Sequence, residues 1–300
     1  MPSEELLMTN PHFITAYVQK FRETKNILLL VKAAILVLRQ QRALELIYGG
    51  YCSLFHRPSV VCPWADEAAL IAILKAECAF VYQGILSKEQ ITRLYGGAFK
   101  VGLLPTDFQG ARCESIWQND ESLIIGEYGE SSRIAYVSPE SCIMSDYYCR
   151  VPGVRHIHSI QGYGDAGDFL VSTGDTCKFL DLWSAGNGKV NFARRLSKHL
   201  AGFTAAVRVK GEYYFGTDFS SRPNFIETLE GTKYFFPAKA YRLYVTAFHA
   251  FLDRYIIAVN NELVIAGGRK TLSVFDTVER RFIFCEYWAD EAPQLIKRAA

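Results

Sequence analysis

Two histidines one residue apart are the first feature of this sequence that could do chemistry. The segment "VRHIHSIQ" (Val154–Gln161) places His156 and His158 behind Arg155, in a chain of 300 residues that has six histidines. Alternate side chains of a β-strand share one face, so the two imidazoles should point the same way, while Arg155 points the other way or marks the start of the strand. The pair could ligate a divalent metal ion, contact a substrate without metal, or only form hydrogen bonds within the fold.

A repeat of short apolar segments supplies the elements that must position these histidines. Segments of β-type composition recur at steps of about 45 residues, a period typical of propeller blades. They begin at Ile35, Phe80, Leu123, Phe169, Tyr213 and Leu263. The echo of "LIYGG" (Leu46–Gly50) in "RLYGG" (Arg93–Gly97) supports the same period.

Within a repeat the pattern resolves into four short strands separated by Gly, Asp and Asn clusters. The fourth unit gives "RHIHSIQ", "DFLVSTGD", "CKFLDLW" and "KVNFARRL", and the sixth gives "FLDRYIIAV", "ELVIAGG", "TLSVFD" and "RRFIFCEYW". Four-stranded meanders at this period predict an all-β β-propeller, with six blades expected and five or seven as alternatives. We expect one domain over residues 1–300, with a ring-closing strand inside residues 1–25. A helix over Asp66–Cys78 is the competing interpretation, and it would break the period.

The first strand of each blade should line the central channel of a propeller, so its polar residues are candidates for binding. His156 and His158 would act as acid/base groups or metal ligands, and His249 or a carboxylate would supply a third metal ligand. Arg112 or Arg155 would hold an anionic group of the ligand.

Acidic residues also recur where the second strand of a blade ends. They are Glu127 in "GEYG", Asp175 in "STGD" and Asp218 in "GTDF". Capping of turn amides, hydrogen bonding between blades and ligand contact are all compatible with this pattern. Glu127 could also be the acid/base partner of an imidazole or fix its tautomer.

Several function classes lose support on composition. The formal charge of +2 is spread along the chain without a long basic run, which disfavours nucleic acid. The apolar run Ile27–Leu38 is too short for a membrane span and contains Lys32. The acidic N-terminus and the eight scattered cysteines favour a reducing cytoplasm. No nucleophile elbow, P-loop or dinucleotide fingerprint is present.

Four motifs in order give the chain a family resemblance. "GEYG", "RHIHSIQ", "VSTGD" and "YYFGTDFSSRPNFI" (Tyr213–Ile226) resemble the bacterial sialidase-like, BNR-type β-propeller family over about Arg112 to Ile226. The resemblance implies a propeller and a link to carbohydrate or exopolysaccharide. Neither "VSPESCIM" nor "CKFLDLW" completes the Asp-box of that family. The motif positions carried over are Arg155, His156, His158, Glu127, Asp175, Asp218 and Asn224.

Two functions follow as hypotheses. The first is a site at the channel mouth for a glycan or a small anionic sugar derivative, with hydrolase, lyase or transferase chemistry if the protein is an enzyme. The second is a non-enzymatic scaffold that binds a protein partner, for example in polysaccharide synthesis. Its contact candidates are the aromatic residues Tyr147, Tyr148, Tyr234 and Phe235.

Overall fold

The computed structural model describes residues 85–129, 132–164, 167–174, 177–186, 189–199, 202–219, 223–261 and 270–288. The chain divides into a unit of residues 1–59 with 264–266 and a unit of residues 60–263 with 267–300, and the described residues all belong to the second unit. The segments predicted at Ile35, Phe80 and Leu263, the strand within residues 1–25 and the helix over Asp66–Cys78 lie outside the described residues. The assignment of residues 1–300 to one domain therefore stays a prediction.

Within the described residues, the chain forms four antiparallel sheets in which each strand pairs with the next one along the sequence. Three of these sheets have four strands, and the first has a short fifth strand at its edge. Antiparallel meanders of this kind, packed in order, are the blades of a β-propeller, as predicted. Blade 1 holds β1 (Ile85–Leu86), β2 (Ala111–Gln118), β3 (Leu123–Glu127), β4 (Ile134–Val137) and β5 (Cys142–Ser145). Blade 2 holds β6 (His156–Tyr163), β7 (Asp168–Gly174), β8 (Lys178–Gly186) and β9 (Lys189–His199). Blade 3 holds β10 (Phe203–Val209), β11 (Glu212–Thr217), β12 (Phe225–Thr228) and β13 (Lys233–Phe235). Blade 4 holds β14 (Tyr244–Phe251), β15 (Tyr255–Asn261), β16 (Lys270–Asp276) and β17 (Arg281–Trp288).

The turn between β10 and β11 shows how local sequence sets strand register. Val209 pairs with Glu212, which leaves Lys210 and Gly211 as a two-residue loop. Both have positive φ, 49° and 82°, as a type I′ turn requires. The twist of a type I′ turn matches that of the strands it joins. The turn therefore sets the pairing register of β10 with β11, and with it which residues of blade 3 face the neighbouring blades.

Successive blades pack face to face through apolar side chains. Ile124 and Ile134 of blade 1 meet Ile157 and Trp183 of blade 2 in one buried cluster. Glycine is required where the second strand of one blade approaches the first strand of the next. A Cβ at Gly126 would lie 2.4 Å from Ile157 Cγ2, and one at Gly216 would lie 2.4 Å from Val245 Cγ1. The first glycine of "GEYG" and the glycine of "GTDF" are thus explained by packing between blades.

A short helix, α1 (Lys88–Tyr95), covers the other face of blade 1. Ser87 and Gln90 form a capping box at its start, which satisfies two backbone amides. Ile91 packs with Leu123 and Ile125 of blade 1 in one buried cluster. Arg93–Tyr95 of "RLYGG" form the last turn of this helix. Its counterpart "LIYGG" lies outside the described residues, so the echo between the two segments stays a prediction. No helix of the described residues is long and apolar enough to cross a membrane.

The strand assignment of the last unit was shifted by one strand. "FLDRYIIAV" was predicted as its first strand, but Tyr244–Phe251 is the first strand and Tyr255–Asn261 the second. The apolar run conceals a turn, because Leu252 and Asp253 adopt φ values of 51° and 46°. The predicted second strand, "ELVIAGG", lies outside the described residues.

Candidate functional site

A bulge near the start of the first strand is shared by the blades. The pairing register shifts between Ile157 and Ser159 in blade 2, and at matching places in blades 3 and 4. The residues inside these shifts are His158, Thr204 and Thr246. A bulge leaves one residue outside the regular ladder and changes the direction of its side chain. His158 is therefore placed by blade geometry at one end of the innermost strands.

Around this bulge, residues of blades 1 and 2 form a ring cluster. Tyr128 pairs with His156 as an isolated bridge, and their rings stack with centroids 4.4 Å apart. The His158 ring lies 6.1 Å from Tyr128 and 6.5 Å from His156. The guanidinium carbon of Arg112 lies 5.7 Å from the centre of the Tyr128 ring. The structure thus brings together both predicted histidines and Arg112 with a tyrosine that the sequence analysis did not select.

Asp218 of blade 3 connects this cluster to the next blade. Its Oδ2 lies 4.0 Å from His158 Nδ1, and its Oδ1 lies 3.3 Å from Lys178 Nζ of blade 2. The backbone N–H of Gly202 donates to the same carboxylate at 3.0 Å. Asp218 is buried. This position fits the blade-to-blade role considered for these acids, and it adds Lys178 to the cluster.

The glycine of "STGD" is required by the position of the His158 ring. A Cβ on Gly174 would lie 1.9 Å from His158 Nε2, so the imidazole rests against the glycine backbone. His158 itself is only 3% exposed. His158 therefore belongs to the packing between strands, whereas His156 is half-buried beside Tyr128. Asp175, which follows Gly174, lies outside the described residues.

Glu127 is held by an ion pair with Arg133. Arg133 donates to both of its carboxylate oxygens, at 2.7 and 3.0 Å, and the Gln109 N–H donates to one of them at 2.8 Å. The hydrogen bond to Glu127 raises the pKa of Arg133. Glu127 is fully buried. Its carboxylate thus holds the turn that follows β3, and the acid/base role for Glu127 stays a prediction.

Asn224 and His249 have other surroundings. Asn224 accepts from the Phe219 N–H at 2.6 Å and donates to Phe219 O at 3.1 Å, which fixes the chain after Asp218. His249 pairs with Ile257, three residues beyond the bulge position of β14. Three residues span about 10 Å of a strand. The structure therefore does not bring His249 to the strand end where His156 and His158 lie.

Metal ligation by His156 and His158 stays a prediction. Within the described residues, no three His, Cys, Asp or Glu side chains come together as a metal site would need. His249 does not supply the third ligand, because it lies further along its own strand. The described residues alone therefore give the two histidines no complete ligand set.

Cations outnumber carboxylates in the cluster. Arg112 and Lys178 contribute two positive charges against the single carboxylate of Asp218. Arg155 directly precedes β6, is half-buried and forms no ion pair with any described residue. Together Arg112, Tyr128, His156, His158, Lys178 and Asp218 form what we name the inner cluster. Its charge and its aromatic ring suit an anionic ligand.

The free energy of unfolding should depend on pH through the titration of Asp218. Burial raises the pKa of this carboxyl, and Lys178, the Gly202 amide and Arg112 oppose the shift without reversing it. A raised pKa means that ionisation costs more in the folded than in the unfolded chain. The protonated Asp218 carboxyl therefore contributes its full stabilisation below the pKa that it has in the unfolded chain. That stabilisation is lost as the pH rises through the pKa that it has in the folded protein.

We accordingly expect the free energy of unfolding of the unmodified protein to fall relative to that of Asp218→Asn as the pH rises from about 4 towards 7. Urea unfolding of both proteins at each pH would give the difference. A difference that is constant with pH, or that changes in the opposite direction, would contradict this account of Asp218.

Comparison with known proteins leaves the family of this chain open. No family model matches the sequence, and no curated protein matches it. A solved structure to which the chain is similar is the β-propeller domain of Cps50 (Swd1) from Myceliophteria thermophila, at 13% identity and a TM-score of 0.39. The alignment covers 62% of this chain and 59% of that one, so the chain spans less than two thirds of that structure.

Proposed function

We propose that the inner cluster binds a small anionic, sugar-derived ligand. The observation that carries the proposal is the excess of cationic groups around one buried carboxylate. Arg112 and Lys178 come from different blades, and Arg155 adjoins His156. An arginine recognises a ligand carboxylate through paired donors, and such charged hydrogen bonds are the strong ones.

The stacked rings of Tyr128 and His156 support a sugar as the carrier of the anionic group. Their planes are 15° apart and both side chains are half-buried, so part of each aromatic ring stays accessible beside polar donors. Ligand sites typically combine such a surface with a few convergent polar groups. The resemblance of "GEYG", "RHIHSIQ" and "VSTGD" to sialidase-like propellers supports the same ligand class.

Binding is better supported than catalysis. The two carboxylates that could act as acid or base already have cationic partners, Glu127 with Arg133 and Asp218 with Lys178. Hydrolase, lyase or transferase chemistry would need one of these carboxylates to leave its ion pair, or Asp175 to serve as the acid or base. The proposal is therefore a sugar-binding site at the inner strand ends.

We further propose that the propeller has six blades. Support comes from the repeat of about 45 residues, because the 84 residues before β1 equal nearly two further units. A six-bladed ring would have to accommodate α1, which lies on the face of blade 1 where a preceding blade would pack.

Replacing Arg112 with Met should weaken binding of a sugar carboxylate by about tenfold or more, because a charged hydrogen bond is lost. The probes are N-acetylneuraminic acid and glucuronic acid, with the methyl ester of the first and glucose as uncharged controls, all measured by calorimetry. Lys100→Met removes an exposed cation that is not part of the cluster and should have no effect.

Two results would overturn the proposal. One is binding of the ester and glucose as tightly as the acids. The other is equal loss of affinity in Arg112→Met and Lys100→Met, which would point to charge in general and not to this site.

The aromatic residues named for a protein partner differ in exposure. Tyr148 is buried and donates to Asp181 at 2.8 Å, so it is not available to a partner. Tyr234 is half-buried against Phe275. Phe235 is exposed, and Tyr147 lines a cleft at the outer rim of blades 1 and 2. A scaffold role would therefore use Phe235 or the rim cleft and not Tyr148.

A further inference from the structure

Asp218 is the one carboxylate of the inner cluster, and contacts on several sides fix its position. Its Oδ1 lies 3.3 Å from Lys178 Nζ and accepts the backbone N–H of Gly202 at 3.0 Å. The Gly202 backbone lies so close that a Cβ there would be 2.7 Å from the same oxygen. The Asp218 side chain is 6% exposed. The negative charge of Asp218 is therefore a fixed part of the site.

Lys178 is the cationic partner of this carboxylate. It belongs to β8 of blade 2, its side chain is 17% exposed, and it donates to Asp218 Oδ1. Asp218 is the only described acid with which it forms an ion pair. Salt screens a partly buried pair of this kind much less than a surface pair. The positive charge of Lys178 is thus neutralised within the protein before a ligand binds.

The guanidinium of Arg112 has different surroundings. Its Nη2 donates to the backbone O of Thr246 in blade 4 at 3.3 Å, and its Cζ lies 5.7 Å from the centre of the Tyr128 ring. It forms no ion pair with any described residue. An arginine has five N–H donors, so the bond to Thr246 leaves enough of them for paired hydrogen bonds to an anionic group. These contacts position Arg112 and leave its charge to a ligand.

The balance of charge in the inner cluster suits a ligand with one negative charge. The formal charges of Arg112, Lys178 and Asp218 sum to +1. A singly charged ligand neutralises that sum through Arg112. A second negative charge would be left without a cationic partner in this half-buried cluster, and an unpaired charge removed from water is costly.

We propose that Asp218 sets the charge of the ligand that the inner cluster accepts. Because Asp218 holds Lys178, one cation remains for the ligand. The site therefore takes sugars with a singly charged carboxylate or sulfate group and rejects sugars with a doubly charged phosphate group. This role of Asp218 rests on the proposed sugar-binding function, and it narrows the ligand class to monoanionic sugars.

Glucose 6-sulfate and glucose 6-phosphate are the matched probes for this role, because they have nearly the same shape but differ by one charge at about pH 8. Calorimetry should show that the unmodified protein binds the sulfate about tenfold or more tightly than the phosphate. Asp218→Asn keeps an oxygen that can accept the Gly202 N–H and releases Lys178. The ratio of the two affinities should therefore shift towards the phosphate by about tenfold or more.

Three further variants separate this effect from charge in general. Asp218→Asn with Lys178→Met removes both charges of the pair, so the ratio should return to that of the unmodified protein. Lys178→Met alone makes the opposite charge change and should shift the ratio further towards the sulfate. Asp107→Asn makes the same substitution at a carboxylate outside the cluster, whose side chain is 71% exposed, and should leave the ratio unchanged. Urea unfolding at the same pH checks that each variant is folded.

The role of Asp218 is overturned if Asp218→Asn changes the affinity for both sugars equally or does not bind the phosphate. It is also overturned if the double variant shifts the ratio as Asp218→Asn does, or if Lys178→Met leaves the ratio unchanged. Binding of glucuronic acid by the unmodified protein is measured alongside. Its absence would overturn the proposed sugar-binding function itself, so the two failures are distinct.

Discussion

Arg133→Met is expected to lower the free energy of unfolding by about 3–5 kcal/mol, because it leaves a buried carboxylate without its cation. Glu127 is 0% exposed and takes two hydrogen bonds from Arg133. The Gln109 amide would be its only remaining donor among the described residues. The loss is measured by urea unfolding, from the change in midpoint at constant slope.

Two controls separate the buried pair from general surface charge. Glu127→Gln combined with Arg133→Met removes the buried charge and should recover a substantial part of the loss. Asp107, the second acidic partner of Arg133, has a side chain that is 71% exposed. Asp107→Asn should therefore cost at most about 1 kcal/mol. A loss below about 1 kcal/mol in Arg133→Met would contradict the role assigned to Glu127.

Trp183→Ala should cost about 3–5 kcal/mol, since it removes the largest fully buried side chain of the described residues from the interface between blades 1 and 2. Trp183 is fully buried, packs with Ile157 and Phe169, and donates to the Tyr148 hydroxyl at 3.0 Å. The same substitution removes the edge-on contact that supports Tyr147 in the rim cleft.

Tyr148→Phe is the matched control for this substitution. It keeps the packing and removes the hydroxyl that accepts from Trp183 and donates to Asp181, so the expected cost is about 1–3 kcal/mol. Thermal and urea unfolding of both variants give the comparison. Equal losses in the two variants would show that the hydrogen bonds, and not the packing of the indole, dominate this interface.

The strands of a blade can be predicted from the sequence where turn residues mark their ends. The fourth unit was predicted strand by strand, because Gly, Asp and Asn clusters separate "RHIHSIQ" from its neighbours, and β6 to β9 follow it. The last unit was not, since the apolar run around Leu252 and Asp253 hides a turn of positive φ. Helix α1 was not predicted, although Ser87 followed three residues later by Gln90 is a capping-box sequence that marks a helix start.

The candidate site was predicted in part. His156, His158, Arg112 and Asp218 come together through strand ends that a repeat can align. Tyr128 and Lys178 were missed, since their membership depends on which strands neighbour each other in space. Tyr128 directly follows Glu127 in "GEYG", so the motif held the signal. The pairing of Glu127 with Arg133 follows from the shape of one turn, which sequence alone does not specify.

The central claim is that an anionic sugar binds at the inner cluster, and the imidazole of His156 is its most direct reporter. We would follow the histidine ring signals by NMR during titration with N-acetylneuraminic acid, and assign His156 with the variant His156→Gln. The account predicts a saturable shift of the His156 signal, absent with the methyl ester and absent for His249. A titration that moves no histidine signal, or moves that of His249 and not that of His156, would contradict it.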